Sequence, residues 1–403
     1  MDFQKLITRY RQFGGFRLIR EYAKLGALWP AVKAAWWFTV KGSWFKVGVF
    51  QCCKGLYGEV IRKVEPYLIE RYGTQISQIA QNVSNDNAND NANANDNDAS
   101  TPSTGSGSSS GPGSATGTKT IWWCWLQGLD AAPPIVKACY NSLKQLTGYC
   151  LIVIDNSNWR EYVELPGYIV EKWEKGRIPA AMFSDLLRVE LLIRYGGTWI
   201  DSTVLCTGVV NDNDNANVNL GSPGGSKSQE KLTQNLSNSE LTADSKRMVN
   251  LSNHSTLNSQ LKHKMLEYLD APLFVFQYNR QGSREVSISN WFITACRNNE
   301  VLLVLREMLH AYWKDYDCVL DYYMFHLFFA MIAKECPEAI AAMPYAQSQH
   351  SLVLLHHWGE KFDQRKWDRL TSQVGFHKLA FRVSENITKD KENYYNWILN
   401  SYK

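Results

Sequence analysis

The sequence lacks an uninterrupted apolar run long enough to cross a membrane, which needs ~20 consecutive, mostly apolar residues. The most apolar N-terminal stretch, residues 25–50, is interrupted by Lys33, Lys41 and Lys46. The basic start is not followed by the apolar core and cleavage site that mark a secretory signal peptide. We therefore expect neither a spanning helix nor an export signal.

Paired cysteines are also lacking. The cysteines number nine, and no two of them have the Cys-x-x-Cys spacing of a zinc or redox site. Scattered cysteines of this kind are typical of reduced thiols, which favours a cytoplasmic location. No nucleic-acid recognition motif is present, so we expect no nucleic-acid partner.

The chain carries little net charge, but that charge is unevenly spread. The formal net charge is +4, whereas residues 1–63 hold twelve Lys and Arg against Asp2, Glu21 and Glu59. Aromatic residues interleave with lysines between Trp29 and Phe50. We expect a basic, aromatic, mainly helical N-terminal segment over residues 1–81. It has two alternative roles: an extension packed on the next domain, or a helix on the anionic inner face of the plasma membrane.

Two segments have a composition that cannot bury a core. Residues 82–118 change from an Asn/Asp/Ala run to a Ser/Gly/Pro/Thr run, which predicts a disordered linker. A similar insertion covers about residues 211–259. Because long loops cost little extra closure entropy, we interpret it as a loop expansion within the domain that spans residues 119–403.

Residues 119–403 alternate between strand and helix patterns. Such alternation predicts an α/β fold with a mostly parallel sheet and helices on both faces. The predicted strands are 120–125, 151–155, 198–205 and 273–277. The predicted helices are 134–146, 301–313 and 321–334, together with one that Pro179 opens and Gly196-Gly197 ends.

One helix–strand corner carries three chemically useful groups. Asp185 and Arg188 lie three residues apart on the predicted helix, Gly196-Gly197 ends that helix, and Asp201 lies on the strand that follows. An Asp–Arg pair at this spacing is most often a solvated ion pair. The carboxyl end of a strand in an open α/β sheet, however, is where such folds bind ligands.

This corner resembles the sugar-nucleotide site of glycosyltransferases in the capsular polysaccharide synthesis protein family, which are related to the family 32 transferases. The resemblance covers most of residues 119–403, apart from the insertion. Within this range, the pieces that match in addition to the corner are 121–128, 289–293, 321–326 and 377–379. It implies a Rossmann-like glycosyltransferase domain of the GT-A type with a nucleotide-sugar donor as its partner.

The resemblance implies a role for each donor-site residue. Asp185 would bond the ribose or sugar hydroxyls, Arg188 would contact the sugar or phosphate, and Asp201 would complete the catalytic set. Trp125 would stack on the base, with Gln127 beside it, although Trp125 could equally be a core residue. Asn290 would hold a sugar hydroxyl, and Trp291 would cover the diphosphate from a closing loop.

The family's Asp-x-Asp motif binds a divalent metal, and here it reads Asp201-Ser202-Thr203. A hydroxyl is a poorer ligand for Mg²⁺ or Mn²⁺ than a carboxylate. Either other residues complete the site or cationic side chains replace the ion; we expect a weakly held metal on Asp201, Thr203 and His377. The pair His356-His357 is a rival to His377, and His326 fits a buried structural position as well as a functional one.

These features predict a hexosyltransferase that extends a polysaccharide or lipid-linked glycan in capsular polysaccharide biosynthesis. Two alternatives remain: a toxin-like glycosyltransferase that modifies a protein, and a non-catalytic relative that binds nucleotide sugars.

Overall fold

The computed structural model of the chain describes residues 10–41, 58–96, 119–208, 259–278 and 287–403. The predicted insertion at 211–259 and most of the predicted linker lie outside these ranges. Among the helices that are described, none combines the length and the apolar character needed to cross a bilayer.

The strands form two sheets. The main sheet has the order β2-β1-β3-β6-β5, and a small second sheet pairs β4 with β7. Their bounds are β1 (Lys119–Cys124), β2 (Tyr149–Ile154), β3 (Gly197–Asp201), β4 (Val204–Cys206), β5 (Leu273–Gln277), β6 (Ile288–Ala295) and β7 (Phe376–Lys378).

Helices surround these sheets in the described part of the chain. They are α1 (Phe16–Lys24), α2 (Leu28–Lys41), α3 (Gly58–Asp96), α4 (Pro134–Leu143), α5 (Trp159–Tyr162), α6 (Gly167–Glu174), α7 (Ala180–Tyr195), α8 (259–270), α9 (Glu300–Asp315), α10 (Met324–Glu335), α11 (Pro337–Ala341), α12 (Ser348–His357), α13 (Gln364–Thr371), α14 (Glu385–Lys389) and α15 (Tyr394–Ser401).

The α/β class is confirmed, but the main sheet is mixed rather than mostly parallel. β1 pairs in parallel with β2 and with β3, whereas β6 is antiparallel to both β3 and β5. The predicted strand over 198–205 also divides into β3 and β4, which belong to different sheets. The turn at Ser202-Thr203 redirects the chain between them.

Helices cover both faces of the main sheet, as predicted. Because successive strand residues point to opposite faces, each strand contributes side chains to two cores. Trp122 and Trp199 belong to the core on the side of α7, α9 and α10. Trp123 and Ile200 belong to the core on the other side, which includes α4 and α15.

The N-terminal helices pack on the α/β domain. Helix α3 buries one apolar stripe against α9 and α10, made of residues at helical spacing: Val60, Val64, Leu68, Tyr72 and Ile76. The Tyr72 hydroxyl donates to Asp315 Oδ2 at 2.8 Å. Tyr22 donates to the carbonyl of Leu320 at 2.8 Å. Helix α3 continues to Asp96, so the boundary expected at residue 81 falls inside it.

Candidate functional site

Four strands bring polar groups to one end of the main sheet, which we call the carboxyl edge. Cys124 is in register with both Ile154 and Asp201, so β1, β2 and β3 end together. The antiparallel β6 begins at the same edge, because Ile200 is in register with Phe292. Asn290 therefore lies near the end of β3.

Helix α7 brings Asp185 and Arg188 to this edge. Both residues are only 4% exposed, because the helix is covered on nearly every side. The interpretation of Asp185 and Arg188 as a solvated ion pair is therefore wrong.

The glycine pair after α7 fixes the geometry of the corner. Gly196 caps the helix with a φ of 68°, and Gly197 has a φ of 94°. A Cβ on Gly197 would lie 2.4 Å from the carbonyl oxygen of Thr120, so no larger residue fits beside β1. The predicted helix stop is confirmed, and β3 begins directly after it.

Arg188 joins the two carboxylates. Its Nη2 lies 3.2 Å from Asp185 Oδ1 and 3.5 Å from Asp201 Oδ1. Its Nη1 donates to the carbonyl oxygen of Asn290, and its guanidinium lies 5.0 Å from the ring centroid of Trp199. Arg188 is therefore held in one orientation, as a planar fork of donors can be.

The same two carboxylate oxygens also accept hydrogen bonds from neighbouring side chains. Asn290 Nδ2 donates to Asp185 Oδ1 at 3.0 Å, and Trp199 Nε1 donates to Asp201 Oδ1 at 2.9 Å. The structure thus assembles Asp185, Arg188, Asp201 and Asn290, four of the residues predicted from the sequence, into one hydrogen-bonded cluster.

The two carboxyls have different electrostatic environments. Burial raises the pKa of Asp185 to about 7, because it outweighs the opposing effect of Arg188. Burial would also raise the pKa of Asp201, but the cations Lys378 and Arg188 together hold that pKa below its ordinary value. Asp201 is therefore ionised at neutral pH, whereas Asp185 titrates near it.

Lys378, which the sequence did not single out, lies between Asp201 and Thr203. Its Nζ donates to Asp201 Oδ2 at 2.9 Å and to Thr203 Oγ1 at 2.6 Å. Strand pairing explains this position, because Lys378 on β7 is in register with Val204 on β4. Only this long-range pairing brings it to the carboxyl edge.

His377 lies apart from Asp201 and Thr203, the other two residues of the predicted metal set. Neighbouring strand residues point to opposite faces, and His377 is fully buried with its Nε2 3.0 Å from Thr207 Oγ1. Burial lowers its pKa to about 4. Asp201, Thr203 and His377 therefore do not converge on one point.

The other candidate histidines have different surroundings. His356 is exposed, and His357 Nδ1 lies 2.7 Å from Glu360 Oε1. His326 is buried, and burial lowers its pKa to about 3, so it is neutral at physiological pH. Within the described ranges, no group of three or more His, Cys, Asp or Glu side chains could hold a metal ion.

Trp125 and Gln127 follow β1 at the carboxyl edge. Trp125 is half-buried against the core that includes α4 and α15. Its ring lies edge-on to that of Phe381, with ring centroids 5.5 Å apart. Gln127 is exposed. Trp125 thus contacts the core and also borders the carboxyl edge, and its stacking on a base stays a prediction.

Asn290 and Trp291 were expected in a closing loop, but both lie within β6. Strand alternation turns them to opposite faces. Asn290 faces Asp185, while Trp291 is 6% exposed and stacks on Phe276 with ring centroids 4.7 Å apart. Trp291 is a core residue here, and its expected position over a diphosphate does not fit this placement.

Sequence reasoning missed Lys378 and Trp199 as members of the site. Trp199 could have been found, because it precedes Asp201 by two residues and so points to the same side of β3. Lys378 belongs to the short piece 377–379 that carried the resemblance, but only the pairing of β7 with β4 brings it to Asp201.

Comparison with known proteins gives one clear result. Neither a curated protein nor a solved structure matches the chain significantly. A family model, by contrast, matches residues 75–246 and 255–398, which together make up most of the sequence and include every residue of the site. The chain belongs to the capsular polysaccharide synthesis protein family.

Proposed function

We propose that this protein is a nucleotide-sugar-dependent hexosyltransferase that acts in capsular polysaccharide synthesis. Family membership supports the biosynthetic role. The transfer chemistry is supported by the charged cluster at the carboxyl edge, where open α/β sheets bind ligands. A GT-A-type arrangement agrees with the parallel β2-β1-β3 core of the sheet.

The observation that carries this proposal is the charged group Asp185–Arg188–Asp201, in which Asp185 and Arg188 are buried and Asp201 is half-buried. Burying charges costs several kcal/mol per ion before pairing offsets it, so apolar residues would serve a purely structural corner at least as well. Perturbed carboxyls in such a position are candidates for function. The half-buried Asp201 and Asn290 give the cluster access to a ligand.

The groups of the cluster match the chemistry of a donor sugar. Asp185 and Asn290 would bond sugar or ribose hydroxyls, since together they offer two acceptor oxygens and an amide donor. Among the described residues, four of the five N–H groups of Arg188 face protein acceptors, and the fifth, on Nη1, would contact the sugar or phosphate. Asp201 would lie near the reacting carbon, where negative charge stabilises an oxocarbenium-like transition state.

Trp125 and Gln127 would bind the nucleobase. They follow β1, beside the donor cluster, and Trp125 offers a flat apolar ring. The acceptor would be a polysaccharide or a lipid-linked glycan.

We also propose that helices α1 and α2 touch an anionic membrane surface. Their exposed side chains include large apolar residues, with 84% of Phe16 and 66% of Trp29 exposed. Arg17 and Lys33 are exposed beside them. This mixture of aromatic and basic groups suits the interface of an anionic bilayer, where the acceptor would reside.

A donor screen tests the proposed function. The purified chain would be melted with a panel of nucleotide sugars, with and without Mn²⁺, because a ligand of the folded state raises the melting temperature. We expect one donor to stabilise the protein, with the shift lost in Asp185→Asn. A panel without any stabilising donor would contradict the proposal.

A further inference from the structure

The position of the missing second carboxylate is the starting point. In the Asp201-Ser202-Thr203 turn, the two oxygens that could face a cation are Asp201 Oδ2 and Thr203 Oγ1. Both already accept hydrogen bonds from Lys378 Nζ, at 2.9 and 2.6 Å. The place where the family's metal would bind is thus taken by an ammonium group.

The residues present do not fit a divalent ion. Mg²⁺ and Mn²⁺ prefer several hard oxygen ligands, carboxylates above all. Here one carboxylate and one hydroxyl face the position, and His377 bonds Thr207 on the opposite face of β7. A second cation beside Lys378 would also be repelled by it.

We infer that Lys378 is a resident cation that binds the donor diphosphate in place of a metal, an inference that rests on the proposed glycosyltransferase function. An ammonium has three N–H donors, and among the described residues Lys378 uses two of them, on Asp201 and Thr203. The third N–H is available to a phosphate oxygen. Lysine is a regular phosphate ligand in proteins, where it acts as a point charge.

The neighbours of Lys378 suit it to this task. Its side chain is 22% exposed, and the bonds to Asp201 and Thr203 fix the direction of the ammonium. The backbone next to Lys378 is also held in place, because the N–H of Leu379 donates to the carbonyl oxygen of Thr203 at 2.8 Å. A preorganised charge of this kind stabilises developing charge without reorganisation during the reaction.

The step it would assist is the departure of the nucleoside diphosphate. The bond between the anomeric carbon and the β-phosphate oxygen breaks, and its electron pair stays on that oxygen. The acceptor hydroxyl oxygen forms the new bond to the anomeric carbon and releases its proton to solvent. Lys378 neutralises part of the charge that builds on the leaving diphosphate, and it neither gains nor loses a proton.

Calorimetric binding of UDP, GDP, dTDP and ADP to the full chain, with EDTA or with Mn²⁺, tests this inference. We expect at least one nucleotide to bind equally well in both conditions. Lys378→Met should weaken that binding by about tenfold to a hundredfold, the usual loss for a hydrogen bond to a charged group. The matched control is Lys361→Met, because the Lys361 side chain is 79% exposed and pairs with Glu392.

A double variant sharpens the test. Lys378→Met with Thr203→Asp removes the ammonium and restores an Asp-x-Asp motif, so its nucleotide binding should become dependent on Mn²⁺. Thermal unfolding would check that each variant is folded. If Lys378→Met does not fold, Lys378→Arg keeps the charge and should bind the nucleotide without metal.

The outcomes separate the two proposals. Binding to the unaltered chain that requires Mn²⁺ would overturn the role of Lys378 and leave the glycosyltransferase proposal standing. Undiminished nucleotide binding by a folded Lys378→Met variant would likewise overturn the role of Lys378 and leave the glycosyltransferase proposal standing. If none of the four nucleotides binds in either condition, both proposals fail.

Discussion

Nη2 of Arg188 lies 3.2 Å from Asp185 Oδ1 and 3.5 Å from Asp201 Oδ1, so one guanidinium contacts two carboxyls on different elements. Helix α7 carries Asp185 and strand β3 carries Asp201. Their shared cation therefore ties helix to strand at the point where a ligand of an α/β sheet binds.

Replacing Arg188 should destabilise the protein strongly. Arg188→Ala leaves Asp185 without its buried partner, and breaking a buried pair costs about 3–5 kcal/mol. Urea unfolding would measure the loss. Lys389→Ala is the control, since its ion pair with Glu385 is 72% and 77% exposed and should contribute less than ~1 kcal/mol. Equal effects of the two substitutions would contradict this picture of the cluster.

The double variant Arg188→Ala with Asp185→Asn should recover part of that loss, because it removes the uncompensated carboxylate along with the cation. A double-mutant cycle at neutral pH would give the coupling between the two side chains. Strict additivity would mean that they do not interact in the folded protein.

Asp185 should make stability depend on pH. Its pKa is raised from 3.8 to about 7, so between these values the folded state holds a proton that the unfolded chain has released. This contribution is fully present below pH 3.8 and is lost as the pH rises through 7. The melting temperature of the unaltered protein, compared with that of Asp185→Asn, should therefore fall between pH 5.5 and 8. A constant difference across that interval would refute the raised pKa.

Helix α3 should unfold together with the α/β domain. Leu68 is fully buried in the shared core, and Leu→Ala at such a site costs about 2–5 kcal/mol. The adjacent Ile69 is 39% exposed, so Ile69→Ala is a matched control with a much smaller cost. Global urea unfolding, followed by tryptophan fluorescence, should shift for Leu68→Ala alone. An unchanged midpoint would show that α3 is an independent extension.

The exposed face of α1 and α2 should bind anionic vesicles. Phe16→Ser with Trp29→Ser should reduce sedimentation with vesicles that contain phosphatidylglycerol, and high salt should reduce it further by screening the basic residues. Val32→Ser with Ile19→Ser would show whether the smaller exposed apolar residues contribute. Binding that neither the substitutions nor salt affects would contradict a role for this face.

The sequence predicted those parts of the site that depend on local pattern. The apolar spacing of Met182, Leu186 and Val189 predicted the helix that carries Asp185 and Arg188. The strand pattern after Gly196-Gly197 placed Asp201 beside that helix. These residues lie within one short stretch, so helical and strand periodicities fix their relative positions.

The rest of the site depends on pairings between distant segments. Lys378 reaches Thr203 because β7 pairs with β4 across 175 residues, which no local period reveals. Asn290 reaches Asp185 because β6 adds to the sheet in the antiparallel direction, where a loop was expected. Burial of α7 on nearly every side likewise comes from its packing against α9 and against the strands β1, β3 and β6, which the helix pattern alone does not reveal.

Turnover of nucleotide sugars by the full chain, compared with that of Asp201→Asn, tests the central claim most directly. Release of nucleoside diphosphate would be followed for a panel of donors, with and without a lipid-linked glycan acceptor. We expect one donor to be consumed, and we expect Asp201→Asn to lose at least about a hundredfold of that rate, because it removes a charge at the reacting centre. No turnover with any donor despite nucleotide binding, or full activity of Asp201→Asn, would contradict the assignment of a glycosyltransferase site to this edge of the sheet.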